Sequence, residues 1–132
     1  MSIFIILLKK QMHVDEFFSY GSANHIGSMH IEIEDGRTYV PSNVPYLNYM
    51  TADQNNRYNY INVWRNQAED VHPPLYYAVL HTICSMFPGR FSFWFAGAIN
   101  IAFGVMTLYV LRKLFRLYCG KDAPVNLLSV IY

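Results

Sequence analysis

Phe91-Ser-Phe-Trp94-Phe-Ala-Gly97-Ala-Ile-Asn100-Ile-Ala-Phe-Gly104-Val-Met-Thr107-Leu-Tyr-Val-Leu111 runs for 21 residues without a charge. About 20 mostly apolar residues suffice to carry a helix across the hydrocarbon core of a bilayer. The stretch therefore reads as a transmembrane helix over 91–111. A buried core helix shares this composition but is usually shorter, and a chain of 132 residues offers little protein to surround one on all sides. Arg112, Lys113, Arg116 and Lys121 follow at once. Positive residues are retained in the cytoplasm, which places 112–122 inside as a basic loop and 11–90 outside. Phe91, Phe93, Trp94 and Phe95 then fall at the outer interface, where aromatic rings gather.

The remaining composition agrees with a membrane setting. Hydrophobic residues make up 53% and charged residues only 14%, against about 25% charged in an ordinary soluble domain. A net charge of +1 supplies no field for nucleic acid, and the 11 Tyr and 9 Phe exclude a disordered chain. The two cysteines make no disulfide framework. Gly97, Asn100, Gly104 and Thr107 recur at spacings of 3, 4 and 3, which puts them on one helical face suited to packing another transmembrane helix.

Both ends of the chain read as cut. Residues 1–10 look like the end of a truncated first transmembrane helix, without a signal peptide's basic start or cleavage site, and 123–132 like the start of a further one. The expected fold is mainly α: a polytopic membrane fragment with one complete spanning helix, partial helices at both ends and a long extracytoplasmic loop. In that loop, Thr51-Ala-Asp-Gln54 has capping-box spacing and predicts a helix over about 52–68, with Ile61, Trp64 and Ala68 on one face. Pro73-Pro74 opens a second amphipathic segment over about 74–87, with Ala78, His81, Thr82 and Ser85 as its weakly polar strip. Both are expected to be juxtamembrane helices. Ile31-Glu32-Ile33-Glu34 before Asp35-Gly36 predicts a short strand or turn.

Chemistry-bearing residues collect at two places. Asp15 and Glu16 adjoin the first apolar stub, and Asp70 and His72 precede Pro73-Pro74. Both sets fall at the outer membrane surface, where ionisable groups often mark a site. A carboxylate there can serve as general base towards a hydroxyl. For a bare Asp-Glu pair, a solvated helix end is the more common explanation. His13, His25, His30, His72 and His81 match no tight metal motif, and no phosphate loop or nucleophile elbow is present.

Taken together, His13-Val-Asp15-Glu16-Phe-Phe-Ser-Tyr20-Gly21, Asn66-Gln-Ala-Glu-Asp70-Val-His72-Pro73-Pro74-Leu75-Tyr76-Tyr77, and Arg90-Phe-Ser-Phe-Trp-Phe-Ala-Gly97 before a helix closed by Arg112-Lys113 are more specific. The chain resembles the N-terminal part of bacterial membrane glycosyltransferases of the GT-C fold. It looks closest to the superfamily of protein O-mannosyltransferases and lipid A aminoarabinose transferases. The resemblance implies a plasma-membrane enzyme that moves a sugar from a polyprenyl-phosphate donor to an acceptor. It implies Asp15 as catalytic base with Glu16 supporting it, and Asp70, His72 and Tyr76 as contacts to lipid phosphate or sugar. It also leaves room for a divalent metal ion, and implies membrane lipid and the remaining transmembrane helices of the parent as partners. The chain departs from that superfamily in length, and Lys9 and Lys10 lie against the positive-inside trend. Two other readings fit the same residues: a small membrane protein binding a partner through its Gly97/Asn100/Gly104 face, and part of a lipid-linked sugar transporter.

Overall fold

The computed structural model describes residues 12–27, 36, 44–70 and 72–119. Among them the chain is mainly helical and carries no strand. The expected strand at Ile31–Glu34, the stub before Lys10 and the run after Lys121 lie outside the described residues. Five α-helices follow one another among the described residues: α1 (Val14–Asn24), α2 (Val44–Met50), α3 (Tyr60–Ala68), α4 (Pro74–Met86) and α5 (Phe93–Cys119), with a 3-10 turn at Gln54–Asn56. The chain divides into two compact units, one of Lys10–Phe95 and one that contains α5 from Ala96 onward.

α5 is 27 residues long, about 40 Å at the usual helical rise and more than a bilayer core requires. Phe93–Tyr118 contains an 18-residue stretch with a mean hydropathy of 1.7 and is long and apolar enough to cross a membrane. The helix outruns the expected 91–111 because Arg112, Lys113 and Arg116 are good helix formers and continue it past the apolar run. Its first turn is tied by Ser92, whose hydroxyl accepts from the Trp94 N–H at 3.2 Å. A Cβ placed on Gly104 meets nothing within 4 Å.

In the Lys10–Phe95 unit, α1 packs on α2, α3 and α4, and α3 packs on α4. Its core is half apolar and half polar. Tyr20, Ala23, Tyr49, Val63, Tyr77, Leu80 and Cys84 are buried beside Ser22, Asn24, Asn56, Asn62, Asn66, His81 and Ser85. Buried polar groups are tolerated only when bonded, and here they close the end of α1. That helix has neither a glycine nor a basic residue to satisfy its last carbonyls. Asn56 Nδ2 donates to the Asn24 carbonyl at 2.7 Å, Asn62 Nδ2 to His25 at 2.9 Å, and Asn66 Nδ2 to Ser22 at 3.0 Å and His25 at 2.8 Å. Asn56, Asn62 and Asn66 are thus caps for α1.

One helix start and one helix face differ from expectation. The segment from 52 does not begin at Thr51. The Thr51 hydroxyl turns back to the Leu47 carbonyl at 2.8 Å and closes α2 instead. Asp53 caps the 3-10 turn, Tyr58 sits at φ +56°, and Asn59 starts α3 by accepting from the Asn62 N–H at 3.1 Å. The polar strip of the 74–87 segment also faces the other way. His81 and Ser85 are buried, whereas Leu75, Met86 and Phe87 are exposed. The amide-rich core supplies partners for polar side chains, so the polar strip turns inward.

Candidate functional site

α1 opens with His13 as cap. The Glu16 carboxylate accepts from the His13 N–H at 3.2 Å, which completes a capping box and gives Glu16 a structural task. Acids in this first turn also meet the positive end of the helix dipole. The Asp15 carboxylate lies 3.2 Å from His13 Nδ1, and its side chain is 86% exposed. That nitrogen is also 3.3 Å from the Asp15 N–H. It accepts from the amide when it carries a lone pair and donates to the carboxylate when it carries a proton.

Ser19 follows one turn later, its hydroxyl held by the Asp15 carbonyl at 2.7 Å. Its side chain neighbours the hydroxyl of Tyr77, three residues into α4. Pro74 is preorganised for the first helical position of α4, where its missing N–H costs nothing. Just before it, Asp70 Oδ2 meets His72 Nδ1 at 3.1 Å. The His72 ring stands edge-on to Tyr77 at 6.3 Å, and Tyr76 does the same at 5.6 Å. Burial pushes the Tyr77 phenol up, the neighbouring Ser19 side chain offsets part of that, and the Asp70 charge adds to it.

The fold therefore brings Asp70, His72, Tyr76 and Tyr77 together and sets Ser19 against them, one turn from Asp15. Glu16 stays at the cap. Sequence reasoning singles out Tyr76, whereas the buried residue at the junction is Tyr77. Its spacing to Leu80, His81 and Cys84 on the buried face of α4 is the signal that finds it. Ser19 and Gln67 were also missed. Gln67 precedes Asp70 by one turn, its backbone carbonyl accepts from the Asp70 N–H at 3.2 Å, and its side-chain amide nitrogen and oxygen are both buried without a partner among the described residues. His81 is likewise no surface group. It is fully buried, with Nδ1 3.0 Å from Asn24 Oδ1 and Nε2 3.4 Å from Ser85 Oγ.

The chemistry available is acid–base and electrostatic. Asp70 fixes the orientation of the His72 ring through the 3.1 Å contact to Nδ1. Asp15 presents an accessible carboxylate. Among the described residues no three of His, Cys, Asp and Glu gather as a metal-binding group. Comparison with protein-family models, curated proteins and solved structures finds no match to this chain.

Proposed function

We propose that this chain is the N-terminal portion of an integral membrane glycosyltransferase that moves a sugar from a polyprenyl-phosphate donor to an acceptor at the outer face of a bacterial plasma membrane. The observation that supports this best is the packing of α1 on α4. It joins the acidic start of α1 to the Asp70–His72 pair at the start of α4. In this reading α5 is one span of a polytopic protein, and Arg112, Lys113 and Arg116 mark its cytoplasmic end.

The reaction is a single displacement. Asp15 takes the proton of the acceptor hydroxyl as its oxygen bonds the anomeric carbon. The bond from that carbon to the phosphate oxygen breaks, its electron pair stays on the phosphate, and polyprenyl phosphate leaves. His72 in its protonated form, oriented by Asp70, stabilises the charge that grows on the leaving phosphate. Tyr77 and Ser19 hold the two halves in register, and Tyr76 lines the sugar side. One displacement inverts the anomeric configuration.

The test is transfer of labelled sugar from a polyprenyl-phosphate hexose in membranes holding the protein that carries this chain. A general base is typically worth about a hundredfold or more, so Asp15→Asn is expected to lower kcat/KM by at least that factor. His72→Gln is expected to lower kcat more than it raises KM. Full activity in Asp15→Asn would refute the assignment.

A further inference from the structure

The end of α1 forms part of the wall of a cavity of about 470 Å³ in the Lys10–Phe95 unit. Small-molecule sites run from about 300 to 1,000 Å³ and are mostly apolar, with a few polar groups. This lining is the reverse. Asn24, Asn48, Asn55, Asn56 and Asn59 all contribute to it. The Gly89 N–H donates to the Ala52 carbonyl at 3.0 Å, which holds the segment between α4 and α5 against its rim.

The five amides are not equally engaged. Asn24 is used up by His81 and the Met50 carbonyl. The others keep bonding capacity. Asn48 is exposed, and its side chain bonds nothing among the described residues. Asn55 Nδ2 donates to Asp53 Oδ2 at 3.2 Å, which leaves Asn55 Oδ1 open. Asn59 Oδ1 accepts from the Asn62 N–H, which leaves Asn59 Nδ2 open. Asn56 Nδ2 is taken by the Asn24 carbonyl, while Asn56 Oδ1 is buried without a partner among the described residues. A buried acceptor left open is costly, and a donor brought by a ligand would satisfy it.

We propose that this cavity binds a neutral, polyhydroxylated ligand, a sugar unit, at a site separate from Asp15 and His72. No lysine or arginine stands among its described lining residues, so an anion has no counter-charge there. Asp53 is the lone carboxylate, too little for a metal ion, and no three ligating groups gather among the described residues. An extended peptide needs a sheet edge or an apolar groove, and the described residues form no strand. A hydroxyl both donates and accepts, and a carboxamide offers both in return. Asp15 stands about 14 Å away along α1 at the usual helical rise. The site needs none of the transfer chemistry, so either reading can fail without the other.

The protein that carries this chain, in phospholipid nanodiscs, is titrated with the methyl glycosides of glucose, galactose, mannose and N-acetylglucosamine and followed by saturation-transfer NMR. At least one should bind with a Kd in the millimolar range or tighter. Asn48→Ala, at an exposed position, should weaken it about fivefold, and Asn48→Ala with Asn55→Ala about twentyfold, the usual worth of one and two hydrogen bonds. The single variant keeps the test open if the double one misfolds. Asp15→Asn should leave the Kd within about twofold, because the two places are well separated. Binding by none of the four, or binding unmoved by both asparagine variants, would overturn the proposal. So would loss of binding in Asp15→Asn, which would put the sugar at the transfer residues. Equal binding of methyl glucuronide would overturn the neutral class, and binding of acetyl-trialanine amide in place of the glycosides would make the cavity a peptide site.

Discussion

Asn24→Ala should open the Lys10–Phe95 unit more than any other single amide deletion. The Asn24 side chain accepts from His81 Nδ1 and donates to the Met50 carbonyl at 2.8 Å. Truncation strands a buried donor on α4 and a buried acceptor at the end of α2. Each stranded group costs about 1–3 kcal/mol, and partial relaxation puts the sum at about 3 kcal/mol. Asn56→Ala strands only the Asn24 carbonyl and also removes Asn56 Oδ1, which is buried without a partner among the described residues. Its cost is about 1 kcal/mol. Cys84 reads the difference. It is buried on α4, and burial pushes its thiol up to about 11, so it reacts only when the unit opens. In a Cys119→Ser background in detergent micelles, maleimide alkylation of Cys84 should accelerate roughly 150-fold in Asn24→Ala and roughly fivefold in Asn56→Ala, since each 1.4 kcal/mol is about tenfold. An acceleration below about threefold in Asn24→Ala, or the reverse ranking, would refute the view that Asn24 is the hub of the polar core.

Tyr49→Phe should stabilise the unit by about 1 kcal/mol, because the Tyr49 hydroxyl is buried without a partner among the described residues and its desolvation is not repaid; a lower thermal midpoint by circular dichroism would contradict this. Gly21→Ala should cost about 2 kcal/mol through overpacking, because a Cβ there overlaps the buried Tyr49 ring. Gly21→Ala combined with Tyr49→Leu should recover part of that loss, and strict additivity would argue against the overlap. Acid should weaken the unit through His81. Burial holds its pKa below the usual 6.5, so the unfolded chain binds the proton first. Stability is therefore level above about pH 6.5 and falls below it by at most about 1.4 kcal/mol per pH unit for this group. Thermal melts from pH 8 to pH 5 should show the fall in the native chain and a smaller one in His81→Gln.

The long apolar helix α5 was legible because its signal is one-dimensional: a long uncharged run followed by arginine and lysine needs no knowledge of neighbours. The 74–87 segment was legible for a similar reason, since Pro73-Pro74 and Pro88-Gly89 bracket it and the helix observed is Pro74–Met86. The start of α3 was not, because Thr51 has two hydrogen-bonding directions open to it and tertiary packing selects the backward one. α1 was missed as a helix since half of its end caps come from distant residues. The same dependence hid the inward turn of His81 and Ser85. A helical wheel ranks residues by polarity, but here the protein interior is itself polar. For the candidate site, the motifs placed Asp15, Asp70 and His72, whereas their linkage through Ser19 and Tyr77 exists only once α1 and α4 pack.

The caps at the end of α1 also set a timetable. Their donors lie 32 to 44 residues further along the chain than the carbonyls they satisfy. At about 5–20 residues per second, synthesis leaves Val14–Asn24 waiting a few seconds before Asn66 emerges. During that interval the last turn of α1 has only water for its carbonyls, and Ser19 has no Tyr77 to meet. Of the helices described, the one made first is thus completed late, and a substitution at Asn62 or Asn66 would reach Asp15 and Ser19 as a delay in maturation rather than as a missing contact.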